Sequence, residues 1–142
     1  IETHGPKELG LEGKKYTRVS IFMDIFCCHV NRAPYTGTVT EIFYKPGKYI
    51  NATLDKASED NERNYLLLKN SDGVEIIVVQ IAGMIARRIV CDVKKGDTIN
   101  QGDSFGIIRF GSKVDLYFEN YNLLVRRGQN AVAGETLLAI KK

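Results

Sequence analysis

The 142-residue sequence has little of four things: cysteine, net charge, long apolar runs and helical periodicity. Its three cysteines, Cys27, Cys28 and Cys91, make no disulfide framework, which argues for a reducing compartment. Twenty basic against 17 acidic residues leave a formal charge of +3, too mild an excess for a nucleic-acid-binding surface, and no nucleic-acid partner is expected. The longest uncharged apolar run, Ile76 to Ala86, is well short of the roughly 20 residues that span a bilayer. No basic-then-apolar signal precedes it. The expectation is a chain that is neither transmembrane nor secreted, folded as one compact domain over residues 1–142.

The scarcity of helical periodicity leaves only two short helices to expect, one near Asp55 to Asn64 and one around Ile81 to Ile89. The rest is strand-like. Arg18 to Phe26 and Glu75 to Val90 are rich in β-branched and aromatic residues, and Gly, Asn, Asp and Pro punctuate the gaps. The fold class is therefore mostly β. An internal repeat supports it: VKKGDTINQGDSFGII (93–108) and VRRGQNAVAGETLLAI (125–140) align at a constant offset of 32 residues. Gly96 then matches Gly128, Gly102 matches Gly134, and Asp103 matches Glu135. A fainter copy, YKPGKYINAT (44–53), keeps the first glycine as Gly47. Each copy reads as strand, glycine turn, bridge, glycine turn, strand, with Gly supplying the positive φ of tight turns. Such hairpin units resemble the barrel-sandwich halves of biotinyl and lipoyl carrier domains, so a barrel-sandwich, hammerhead-like β domain is expected.

Several stretches could carry chemistry. Cys27, Cys28 and His29 cannot converge on one ion from a strand, whose successive side chains point to opposite faces, and no metal site is expected. Asp55-Lys56-Ala57 matches the lipoyl-domain DKA tripeptide, but the Gly-x-Val-x-Glu-Ile type strand that follows that lysine elsewhere precedes it here as TGTVTEI (36–42). Lys56 is expected to be an exposed lysine. A non-catalytic carrier module is the reading that would go with it. His29, just after an apolar strand, titrates nearest neutrality and could move protons. Asn61, Glu62, Arg63, Arg87 and Arg88 could form no more than a solvated face, and the arginines could pair with phosphate or carboxylate through bidentate hydrogen bonds.

The stretch RFGSKVDLY (109–117) sets Gly111 and Ser112 inside a strand-like run. A hydrolase elbow would need a second glycine and a following helix, and neither is present. The pair therefore reads as a bulge or turn, or as a self-cleavage bond in which the serine hydroxyl attacks the preceding, least hindered carbonyl.

Four segments in order, HVNRAP (29–34), PGKYINATLDKASEDNERN (46–64), VQIAGMIARRIVC (79–91) and GDSFGIIRFGSKVDLY (102–117), closely resemble the short, bacterial-type phosphatidylserine decarboxylase proenzymes. The similarity runs from about Arg18 almost to the C-terminus. It implies that Gly111-Ser112 is the maturation bond. Cleavage there would give a β chain of residues 1–111 and an α chain of residues 112–142 that begins with a pyruvoyl group made from Ser112. The resemblance implies a Schiff base between that group and the amine of phosphatidylserine, loss of CO2 and release of phosphatidylethanolamine. It gives His29 a proton-transfer or substrate-positioning role, and makes Arg32, Arg87 and Arg88 candidates for the substrate carboxylate or phosphate. It also implies peripheral attachment to the cytoplasmic side of a bacterial cell membrane and leaves a homo-oligomer open. Family members start with apolar segments and a Pro-Ala-Asp-Gly-type stretch that do not occur before Ile1. The chain is thus expected to match the C-terminal catalytic portion of a longer proenzyme, with an inactive shortened homologue as the blander reading.

Overall fold

A computed structural model describes residues 1–23, 30–47, 61–83, 89–108, 112–131 and 136–141. A seven-stranded antiparallel sheet is its main layer. Its strands are β1 (Glu2–His4), β2 (Lys15–Met23), β4 (Gly37–Lys45), β5 (Arg63–Lys69), β6 (Glu75–Ile81), β8 (Thr98–Ile99) and β10 (Ser112–Phe118), in the order β1-β2-β10-β6-β5-β4-β8. A second sheet, β3-β9-β7, comprises β3 (Val30–Arg32), β9 (Ser104–Ile108) and β7 (Ile89–Cys91), and β11 (Tyr121–Leu123) pairs with β12 (Ala139–Lys141). The class is the mostly β one expected, built from packed antiparallel sheets with no closed barrel among the described residues.

Strand alternation explains the two apolar layers. Leu66 and Leu68 of β5, Ile76 and Val78 of β6, and Leu116 and Phe118 of β10 form one core cluster with Phe105 of the second sheet and Ile99 of β8. On the opposite face Tyr65, Ile77, Val79 and Ile81 pack under Leu9 and Leu11 of the N-terminal segment. Because both faces of β6 are covered, EIIVVQI is a nearly continuous apolar run buried from Ile76 to Ile81. The β5–β6 hairpin closes at Asn70, whose Oδ1 accepts from the backbone N–H of Asp72 and of Val74, both at 2.9 Å.

The repeat has a common turn. In its first copy the Asp97 N–H donates to Lys94 O (3.0 Å), and the Asp97 carboxylate accepts from Lys94 N (2.8 Å). In the second, Gln129 N donates to Arg126 O (3.1 Å) and Gln129 Oε1 accepts from Arg126 N (3.0 Å). Gly96 and Gly128 occupy the third turn position with φ of 97° and 84°, the left-handed value that a type II turn requires there. The same pattern recurs inside the first copy at Asn100 to Asp103.

Neither expected helix is seen where the residues are described. Arg63 and Asn64, the end of the first, belong to β5, while Ile81 and Ile89, the ends of the second, belong to β6 and β7. These described ends satisfy their backbone groups through cross-strand pairing instead. Residues 55–60 and 84–88, including Lys56, lie outside the described residues. The one described helix is a single 3-10 turn, Lys7–Leu9.

Candidate active site

Register alone gathers the chemistry-bearing segments at one end of the main sheet. Ser112, the first residue of β10, is paired with Met23, the last of β2, and its neighbour Lys113 is paired with Ile81, the last of β6. Ile81 pairs in turn with Arg63, the first residue of β5, and Arg63 with Lys45 at the end of β4. In the second sheet the corresponding end holds Val30, paired with Ile107, and Ile89, paired with Ile108. The chain therefore passes between the sheets three times at this end, from Met23 to Val30, from Ile81 to Ile89 and from Ile108 to Ser112. Those connections contain His29, Arg87 with Arg88, and Gly111 respectively. His29, Gly111, Arg87 and Arg88 lie outside the described residues, as do Cys27 and Cys28, and the placement rests on the ends that flank them.

Arg32 is placed differently. It ends β3, at the far side from Val30, is exposed, and its Nη1 donates to Gly102 O at 3.0 Å. That bond ties β3 to the glycine turn before β9, where Ala33 N donates to Asp103 O and Gly102 N to Ala33 O.

Next to Ser112 is a buried polar set that sequence reasoning missed. Lys113, Asp115 and Tyr117 share one face of β10, with Ser20 and Arg18 opposite Asp115 and Tyr117 on β2. The Ser20 hydroxyl donates to Asp115 Oδ1 at 2.6 Å, and Lys113 Nζ lies 3.8 Å from Asp115 Oδ2. The Lys113 and Asp115 side chains are 3% and 4% exposed, so the ion pair is screened by almost no water. Lys113 Nζ also sits 5.7 Å from the centre of the Phe22 ring, a cation–π distance. Burial pushes the Tyr117 hydroxyl above its usual 10.0, Asp115 adds to the rise, and Arg18 pulls against it. The sequence signal was present: SKVDLY alternates charged and apolar residues at strand period, and both β10 faces are covered.

The opposite face carries an amide set. Gln80, fully buried, donates from Nε2 to Asn31 Oδ1 (2.9 Å) and to Val90 O (3.2 Å), and its Oε1 accepts from Asn64 Nδ2 (3.1 Å). Gly106 makes room for it, because a Cβ there would meet Val90 O and come within 2.6 Å of Gln80 Nε2. Cys91 is half-buried beside this set. Burial pushes its thiol up, against the pull of hydrogen bonds with Val93 O and Asn64, so it stays protonated near neutrality.

The chain matches the family model described as phosphatidylserine decarboxylase over residues 3–139. The chain belongs to the phosphatidylserine decarboxylase family. It is 64% identical over 140 residues to the phosphatidylserine decarboxylase proenzyme of Pelagibacter ubique (strain HTCC1062), covering 99% of this chain and 65% of that protein. The proenzyme of Cereibacter sphaeroides (strain ATCC 17025 / ATH 2.4.3) is 57% identical over 135 residues, 94% of this chain and 58% of its own length. That of Ruegeria pomeroyi (strain ATCC 700808 / DSM 15171 / DSS-3) is 55% identical over 135 residues, 94% and 62%. No solved structure matches. The chain thus spans about three fifths of the length of the phosphatidylserine decarboxylase proenzymes it matches, and the match covers every described strand except part of β1 and β12.

Proposed function

We propose that this chain is the catalytic portion of a pyruvoyl-dependent phosphatidylserine decarboxylase that matures by cutting itself between Gly111 and Ser112. The observation that carries the reading is that the strand ends flanking the three inter-sheet connections, Met23 and Val30, Ile81 and Ile89, and Ile108 and Ser112, pair at the start of β10 and the corresponding end of the second sheet, in a chain whose family relatives are named proenzymes. In maturation the Ser112 hydroxyl attacks the Gly111 carbonyl and the peptide nitrogen leaves, giving an ester. Loss of the Ser112 Cα proton expels the Gly111 carboxylate and leaves dehydroalanine at 112. Tautomerisation and hydrolysis then release ammonia and leave the pyruvoyl group.

The fold suits a chain broken there. β10 lies between β2 and β6, paired with Met23 to Thr17 on one side and with Ile81 to Ile77 on the other, and Leu116 and Phe118 are buried in the core. Residues 112–142 would stay held by both ladders, so cleavage need not unfold the protein. The new terminus would remain at the end of β10, which is where the cofactor is wanted. A pyruvoyl group supplies a carbonyl that takes up the electron pair left when CO2 departs.

The chain's own residues would do the rest. His29, one residue before β3, moves the proton or orients the substrate amine. Arg87 and Arg88, one residue before β7, hold the substrate carboxylate or phosphate by paired N–H donors, and Arg32 does so only with the donors its bond to Gly102 O leaves. A lipid substrate places the protein at a membrane surface, the bacterial cell membrane on its cytoplasmic side, and the net charge of +3 favours anionic lipid.

Denaturing mass spectrometry of the complete gene product tests this. Two chains split at 111/112 are expected, with Ser112→Ala giving one unbroken chain and no CO2 from phosphatidylserine. CO2 release by the Ser112→Ala protein would overturn the pyruvoyl mechanism.

A further inference from the structure

Three polar side chains, Asn31, Asn64 and Gln80, sit where strand alternation calls for apolar ones, and together they form one hydrogen-bonded bridge between the two sheets. Asn64, Gln80 and Val114 are neighbours in one row across β5, β6 and β10. From that row the Gln80 carboxamide reaches across the interface to Asn31 of β3 and to the Val90 carbonyl of β7, passing Gly106 of β9. One fully buried side chain therefore touches all three strands of the second sheet while being held from behind by Asn64.

The ends of this bridge are close in sequence to both site residues. Asn31 follows His29 by two positions, and Val114, the backbone partner of Gln80, follows Ser112 by two. An apolar contact at this point would let one sheet slide over the other by fractions of an ångström without loss. A hydrogen-bonded carboxamide does not, because its donors and acceptor have fixed directions and no water can replace them at zero exposure. Gln80 uses both N–H bonds and its oxygen here, so β3 can shift against β6 only by breaking a buried hydrogen bond.

We propose that the Asn64–Gln80–Asn31 bridge sets the distance between β3, the strand that follows His29 in the sequence, and the strand that begins with Ser112, which makes Gln80 and Asn31 positioning residues for the chemistry at Ser112. The second half of this statement rests on the proposed function, whereas the first concerns only the two sheets. Gly106 belongs to the device, since any larger residue would block the crossing.

The test compares Gln80→Leu and Asn31→Leu with Leu68→Ala in the complete gene product. Leu68 is fully buried in the same core but far from the bridge in its strand, so its variant controls for lost stability. Amide hydrogen exchange at Val30 to Arg32, measured on the Ser112→Ala background, is expected to quicken in both bridge variants relative to β5 and β6, and not in Leu68→Ala. Self-cleavage, followed by denaturing mass spectrometry, is expected to slow at least about tenfold in the bridge variants under conditions where all remain folded. The Asn31→Leu/Gln80→Leu double variant should be no slower than either single one, as expected for partners in one interaction. Unchanged exchange in β3 would overturn the bridge itself, even if no variant, and not the parent protein either, cut its chain. Cleavage that slows equally in Leu68→Ala and Gln80→Leu would overturn the positioning role.

Discussion

Replacing Lys113 by Met should cost this domain about 3–5 kcal/mol, the usual penalty for removing one partner of a buried ion pair. The size follows from the surroundings of Asp115. Its carboxylate is 4% exposed and, when the ammonium 3.8 Å away is gone, is left with a neutral donor, the Ser20 hydroxyl at 2.6 Å. A protein of this size is stable by about 5–15 kcal/mol, so the variant keeps a folded baseline over most of that range. With a urea m-value of about 2 kcal/mol/M, the midpoint falls by about 2 M. The sequence contains no Trp and seven Tyr, so tyrosine fluorescence and circular dichroism are the probes. The Ser112→Ala background keeps the chain unbroken during the titration.

Lys113→Met/Asp115→Leu removes both charges and should return to within about 1–2 kcal/mol of the parent, because a buried pair is often no better than a well-packed apolar one. A Lys113→Met midpoint shift under about 0.5 M would refute the reasoning, as would a double variant no more stable than the single.

Two further outcomes concern contacts elsewhere in the fold. Burial would by itself raise the Glu8 carboxyl, but a backbone hydrogen bond and the Lys45 ammonium at 3.0 Å outweigh it and hold it below its ordinary 4.5. Its contribution is complete above that value and lost as pH falls below it, so Glu8→Gln should flatten the acid limb of a stability-versus-pH curve measured by urea titration. Gly106→Ala should lower stability by about 2–3 kcal/mol, because its new methyl group meets Val90 O and the Gln80 carboxamide, and a thermal midpoint unchanged by differential scanning calorimetry would contradict the close approach.

Much of the architecture was legible because strands and turns announce themselves locally. The glycine repeat predicted two turns of one kind, and Gly96 and Gly128 share both the left-handed φ and the same side-chain cap. The helix expected near Asp55 to Asn64 failed at Arg63 and Asn64, where a polar stretch passes without a local signal into β5 and its pairing with β6 decides the conformation. Charged residues at alternate positions of SKVDLY would suit a solvated strand face equally well, yet Lys113 and Asp115 are buried. Only the strand order, which puts β10 between β2 and β6 under the N-terminal segment, tells the two cases apart.

The sequence by itself determined the class, the turn positions, the family and the residues that family membership points to, since each of these rests on short-range pattern or on matching letters. It could not determine which segments meet. Residues 23, 30, 81, 89, 108 and 112 are separated along the chain by up to 89 positions, and cross-strand hydrogen bonding brings them to one end of two sheets. Whether Gln80 was a misplaced polar residue or a bridge was likewise decided by the interface, because a carboxamide is tolerated in a core only where donors and acceptors from distant strands arrive to meet it.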